Sequence, residues 1–153
     1  MSETGSPDQA PLLVVALCGS LRRNSATRQA LLVALEGARE VGAEVKLLDL
    51  RDYELAFCGE GDGESDYPAD VFRLRREVSE AQGILLGTPE YHGSFSGVLK
   101  NALDLLQPEH LQGKVIGLVG VAGGALGATN ALGGLRTIGR AVHAWVVRSP
   151  PGR

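Results

Sequence analysis

A chain of 153 residues, 44% apolar and 22% charged, has the length and balance of one globular domain with a sizeable core. A formal net charge of −3 gives no nucleic-acid footprint, and two cysteines, Cys18 and Cys58, without CxxC spacing exclude a disulfide framework and suit a reducing cytoplasm. No run approaches the roughly 20 apolar residues of a membrane span.

Met1 to Pro11 carries two acids, no base and no hydrophobic stretch, so it reads as a disordered leader (1–11) and not as a signal peptide. A single domain is expected over 12–153. Leu12–Cys18 is a continuous apolar run between Pro11 and Gly19, the pattern of a strand covered on both faces. Ser25–Val41 has helical apolar spacing and is stopped by Gly42. Ala43–Leu50 is a second, partly alternating strand, placed nearer a sheet edge. Residues 51–68, with GEGDGESDYP at their centre, read as a loop longer than the about 12–15 residues beyond which a connection is usually functional or disordered.

A second helix follows over Ala69–Ala81, a third strand over Gly83–Gly87 and a third helix over Gly97–Leu106. Lys114–Val121 is the fourth strand, a glycine-rich turn spans Ala122–Gly127, and a fourth helix runs to about Arg140. A fifth strand is expected at His143–Val147. Strands alternating with helices predict an α/β fold, a doubly wound parallel sheet in the flavodoxin-like order 2-1-3-4-5 with its ligand site beyond strands 1, 3 and 4. A closing helix is expected to be missing, because the sequence stops at Arg153, six residues after Val147.

Three loops at those strand ends contain the candidate site residues. Gly19–Thr27 opens the first helix, where unpaired amides favour an anion, and it adds the hydroxyls of Ser20, Ser25 and Thr27 and the guanidinium of Arg22 or Arg23. A simpler alternative makes Ser25 an N-cap and leaves the arginines solvated. The loop has neither GxxxxGK[ST] nor GxGxxG. The second loop, TPEYHGSFSGVLKNALD at 88–104, places Pro89, Glu90, Tyr91, His92 and Gly93 at the crevice, where a flat heteroaromatic ring could be cradled. Alone, Glu90 reads more simply as a solvated acid and His92 as a neutral loop histidine. The third, Gly120–Gly127, allows close backbone approach or is merely a tight turn. No catalytic triad and no metal site are suggested by the scattered histidines.

GSLRRNSATRQALL at 19–32 and TPEYHGSFSGVLKNALDLL at 88–106 resemble the two motifs of the NADPH-dependent FMN reductase family, with weaker similarity through residue 147. The resemblance implies a flavodoxin-like fold, non-covalent FMN and a homodimer or homotetramer. By position, Ser20, Arg22, Ser25, Ala26 and Thr27 would hold the FMN phosphate. Pro89, Glu90, Tyr91, His92 and Gly93 would surround the ring system, with Gly123 and Gly124 near its other edge. Lys100, Asn101 and Asp104 would lie toward a subunit interface.

The implied activity passes hydride from NADPH to bound FMN and then to a small-molecule acceptor: a flavin, quinone, azo compound or metal oxyanion. The cofactor carries that chemistry, so no catalytic side chain is assigned. A flavodoxin-like electron carrier and a non-catalytic flavin-binding protein are the alternatives. Two positions depart from the family pattern: Ser96 stands where many members have proline, and Ala122 where many have serine.

Overall fold

The computed structural model describes residues 10–148. The leader expected at 1–11 therefore lies almost wholly outside the described residues, as do the last five positions, where a closing helix was expected to be missing. The strands are β1 (Leu13–Cys18), β2 (Glu44–Asp49), β3 (Gly83–Pro89), β4 (Val115–Val121) and β5 (Trp145–Val146). They form one sheet in the order β2-β1-β3-β4-β5, every pair parallel. The helices are α1 (Ala26–Glu40), α2 (Ala69–Glu80), α3 (Gly97–Leu105), α4 (Pro108–Leu111) and α5 (Thr129–Ala141).

Right-handed crossovers decide which face each helix covers. The step from β1 to β2 runs one way along the sheet and every later step the other, so α1 lies opposite α2, α3 and α5. The core divides accordingly. On the α1 face, Leu31 and Leu35 pack on Ala16 and Cys18. On the other, Leu74, Val78, Leu99, Leu103 and Leu135 cover Val15, Leu17, Ile84, Leu86 and Ile116. Helix α1 comes close to β3 because Leu31 occupies the space where Gly87 has no side chain. Among the described residues no element covers the α1 face toward the β4–β5 edge, and Val115, Trp145 and Val147 are 48%, 73% and 48% exposed.

Three differences from the sequence-based expectation have local causes. Helix α4 is one turn starting at Pro108, whose lack of an N–H suits a first helical position; four residues are too few to show a period. Strand β3 continues through Pro89, because β3 pairs as far as Pro89–Val121 at the end of its ladder. Strand β5 is shorter than expected. His143 adopts φ 57, and the amides of His143 and Ala144 donate to the carbonyls of Arg140 and Gly139, a Schellman closure of α5 that uses up the residues before Trp145.

Leu31 is fully buried in the smaller of the two core clusters. Its replacement by alanine is expected to cost about 2–5 kcal/mol of stability, measurable as a lowered urea midpoint at unchanged m-value.

Candidate functional site

The carboxyl ends of β1, β3 and β4 converge on an open cavity of about 540 Å³. Nine of the twelve expected residues line it: Ser20, Arg22, Ser25, Ala26, Thr27, Pro89, Glu90, Tyr91 and Gly123. His92, Gly93 and Gly124 do not, whereas Asn24, Val121 and Ala122 do and were not among the expected site residues. Their position at the strand ends was the available signal; their side chains carried none.

The first wall is the start of α1. Ser25 is its N-cap, with Oγ accepting from the Arg28 amide at 3.1 Å and the carbonyl from Gln29 at 3.2 Å. The amides of Ala26 and Thr27, in the first helical turn, are left without an intrahelical acceptor. No acid occupies that turn. Ser20 and Thr27 are only 3% and 2% exposed yet line the cavity, and among the described residues their hydroxyls have no hydrogen-bond partner. Amides, hydroxyls and the Arg22 guanidinium, beside a helical turn that holds no acid, make a donor set for a small anion. The arginine reaches across the cavity: the Arg22 guanidinium lies 5.6 Å from the centre of the Tyr91 ring.

The second wall is a tight hairpin. Tyr91 and Ser94 exchange both backbone hydrogen bonds, at 2.9 and 3.1 Å, around His92 (φ 50) and Gly93 (φ 76). Two successive positive φ values define a type I′ turn, for which glycine is favoured and histidine tolerated better than most residues. His92 and Gly93 therefore form the tip of the loop and not the wall. Glu90 is also otherwise engaged. Its amide donates to the Val121 carbonyl at 3.0 Å, and its carboxylate accepts from the Ala131 amide at 2.9 Å. It caps α5, which has no side-chain cap of its own at Ala128.

One cluster joins the first two walls. The Ser96 hydroxyl donates to the Gly19 carbonyl at 2.6 Å and accepts from the Leu99 amide at 3.2 Å, making Ser96 the N-cap of α3. The Ser96 amide donates to Thr88 Oγ1 at 2.9 Å, and Thr88 and Ser96 are both buried. A proline at position 96 would have neither the N–H nor the hydroxyl for these bonds. At the third wall, a side chain added at Gly123 or Gly124 would meet nothing within 4 Å, so packing does not require either glycine.

Outside the cavity, Asn101 anchors the long acidic loop, accepting from the Cys58 amide at 3.0 Å and donating to the Ala56 carbonyl at 2.9 Å. Lys100 and Asp104 pair on the α3 surface at 2.7 Å. Cys18 lies buried behind the first wall, where burial pushes its thiol above the usual range, so it is no thiolate nucleophile. No group of metal-binding side chains occurs among the described residues, and no described helix is long and apolar enough to cross a membrane.

A five-stranded parallel sheet in this order, with a donor-rich cavity at its carboxyl end, defines a flavodoxin-like protein. The family model for NADPH-dependent FMN reductases matches residues 12–151. The chain belongs to that family, whose cofactors are FMN and NADPH. It is 33% identical over 129 residues to an FMN-dependent NADPH-azoreductase of Staphylococcus aureus, covering 82% of this chain and 68% of that protein. It is 41% identical over 80 residues to an NAD(P)H-dependent FAD/FMN reductase of Geobacillus thermodenitrificans, where the match covers 52% of this chain and only 43% of the relative. Among solved structures it is similar to FerB, a flavoenzyme NAD(P)H:(acceptor) oxidoreductase from Paracoccus denitrificans. That likeness has a TM-score of 0.80 at 28% identity and covers 92% of this chain and 77% of that one.

Replacing Ser96 with alanine removes a helix cap and a buried tie between two walls. A loss of about 1–3 kcal/mol is expected, read from chemical denaturation. Ser96→Thr, which keeps the hydroxyl, should recover most of it.

Proposed function

We propose that this protein is an FMN-dependent NAD(P)H oxidoreductase that binds FMN in the cavity at the ends of β1, β3 and β4. The observation that supports this reading most is the division of the cavity. One end presents unpaired amides, two unpartnered hydroxyls and an arginine with no acid in the helical turn. The other end presents Pro89, Tyr91 and the backbone at Gly123. Its volume lies within the roughly 300–1,000 Å³ usual for small-ligand sites.

In this assignment Ser20, Arg22, Ser25, Ala26 and Thr27 take the phosphate. Pro89, Glu90 and Tyr91 frame the ring system, and Gly123 faces its other edge. His92, Gly93 and Gly124 act at one remove, the first two by setting the hairpin that presents Tyr91. When bound, FMN supplies two-electron chemistry between NADPH and the second substrate. The chain's own residues bind and orient. Glu90 is occupied with the α5 amide and Cys18 is a buried thiol off the cavity wall, so neither is assigned a proton-transfer role.

The acceptor is proposed to be a small oxidant: a flavin or an azo compound, as the names of two relatives suggest, or a quinone or metal oxyanion, as the sequence resemblance implies. A homodimer or homotetramer in the cytoplasm is the proposed form, and Leu21 and Phe57, 54% and 74% exposed, offer apolar surface for such contacts.

Purified protein mixed with FMN should retain it after desalting and turn yellow, and anaerobic NADPH should bleach the flavin absorbance. A protein that takes up no FMN would sink the reading, and a bound flavin that NADPH fails to reduce would favour the electron-carrier alternative. Arg22→Ala should weaken FMN retention by about tenfold, measured by fluorescence quenching; unchanged affinity would remove Arg22 from the site.

A further inference from the structure

The last residue of β2, Asp49, is a carboxylate only 5% exposed that receives four N–H groups, although it lies on no wall of the cavity. Oδ1 accepts from the Arg51 amide at 3.2 Å and from Arg51 Nε at 2.9 Å. Oδ2 accepts from an Arg51 terminal nitrogen at 2.5 Å and from Arg28 Nε at 3.1 Å. The Asp49–Arg51 contact is thus a two-pronged fork, the geometry in which guanidinium and carboxylate orient each other. Burial pushes Asp49 upward, but the Arg51 and Arg28 hydrogen bonds outweigh it and hold the carboxyl below its ordinary range.

The fork fixes Arg51, and the other terminal nitrogen of Arg51 then donates to the carbonyls of Arg22 and Arg23, each at 3.5 Å. The same carboxylate holds Arg28, which stands in the first turn of α1 and whose amide is capped by Ser25. One buried acid therefore restrains both ends of the segment that forms the first wall. At one end are the carbonyls between Ser20 and Asn24; at the other, the first turn of α1. Asp49 also pairs in register with Cys18, the residue from which the segment leaves β1.

We propose that Asp49 and Arg51 are positioning residues that shape the Gly19–Thr27 segment for a phosphate monoester, and that the preference of this site for FMN over unphosphorylated riboflavin depends on them. The inference rests on the FMN assignment above and goes beyond it, because neither residue touches the cavity. It separates geometry from charge. Asp49→Asn removes one negative charge from the neighbourhood of the anion site. Simple Coulomb attraction would then tighten FMN binding, whereas loss of the positioning fork weakens it.

The test is fluorescence titration of apo-protein with FMN and with riboflavin, on wild type, Asp49→Asn, Arg51→Met and Arg51→Lys. The expected result is an FMN dissociation constant raised about tenfold or more in Asp49→Asn and Arg51→Met, from the loss of one charge-assisted fork. Riboflavin affinity should change less than about threefold, under half of that decade in free energy. Arg51→Lys keeps the charge without the fork and should fall between Arg51→Met and wild type; it also carries the test if Arg51→Met does not fold. FMN affinity unchanged or improved in Asp49→Asn overturns the proposal. So does an equal loss for both ligands, which would mark a general structural role. A wild-type protein that binds no FMN instead overturns the earlier assignment, so the two failures are distinguishable.

Discussion

Three loops from three different strands have to meet within hydrogen-bond distance of one another before this cavity exists, and the Ser96 hydroxyl is the group that makes two of them meet. It bonds simultaneously to the Gly19 carbonyl of the first loop and to the first turn of α3, while its own amide is held by Thr88 at the end of β3. All three bonds are buried, so water cannot replace any of them, and each is stronger for being out of solvent. The Glu90 carboxylate does the equivalent work between the second and third loops, tying the end of β3 to the start of α5. The geometry of the cavity is thus set by polar ties between loops placed over an apolar sheet.

These ties account for residues that looked dispensable or ambiguous in one dimension. Ser96 stands where the family resemblance implies proline, and the serine has a structural use, since it supplies an N-cap and a cross-loop donor that proline lacks. Glu90 has the residue type of a catalytic acid but the surroundings of a helix cap. His92 has the residue type of a base but the backbone of a hairpin tip. Residue type alone points to chemistry in both cases, and the hydrogen-bond partner or the φ angle decides otherwise.

The architecture was legible from the sequence for a simple reason. Strands covered on both faces are uninterrupted apolar runs, as in LLVVALC and GILLG, and helices between them repeat at a different period, so order and class follow from counting. Most of the cavity wall was legible too, because glycine, proline and hydroxyl residues cluster where β1, β3 and β4 end. Other features left no local trace. The one-turn α4 is too short for a period. Closure of α5 at His143 needs a left-handed residue that glycine usually supplies, and histidine does not announce it. Asp49 ends an ordinary edge strand, and its partners Arg28 and Arg51 lie at sequence distances with no motif. Only folding brings the three together, so their relation to the first loop could not be read beforehand.

The uneven covering of the sheet gives the cavity walls of unequal stiffness. Its first two walls rise from β1 and β3, the central strands, each paired on both sides and clad by helices on both faces. Its third wall rises from β4, whose outer neighbour β5 contributes two paired residues and whose α1-side surface is bare at Val115. Local opening is easiest where pairing is short and apolar cover is thin. The Ala122–Gly127 side is therefore expected to open more readily than the Gly19–Thr27 side. A ligand seated as proposed, with its phosphate on the first wall and its ring along the third, would be anchored without being enclosed, an arrangement suited to keeping one molecule while others come and go.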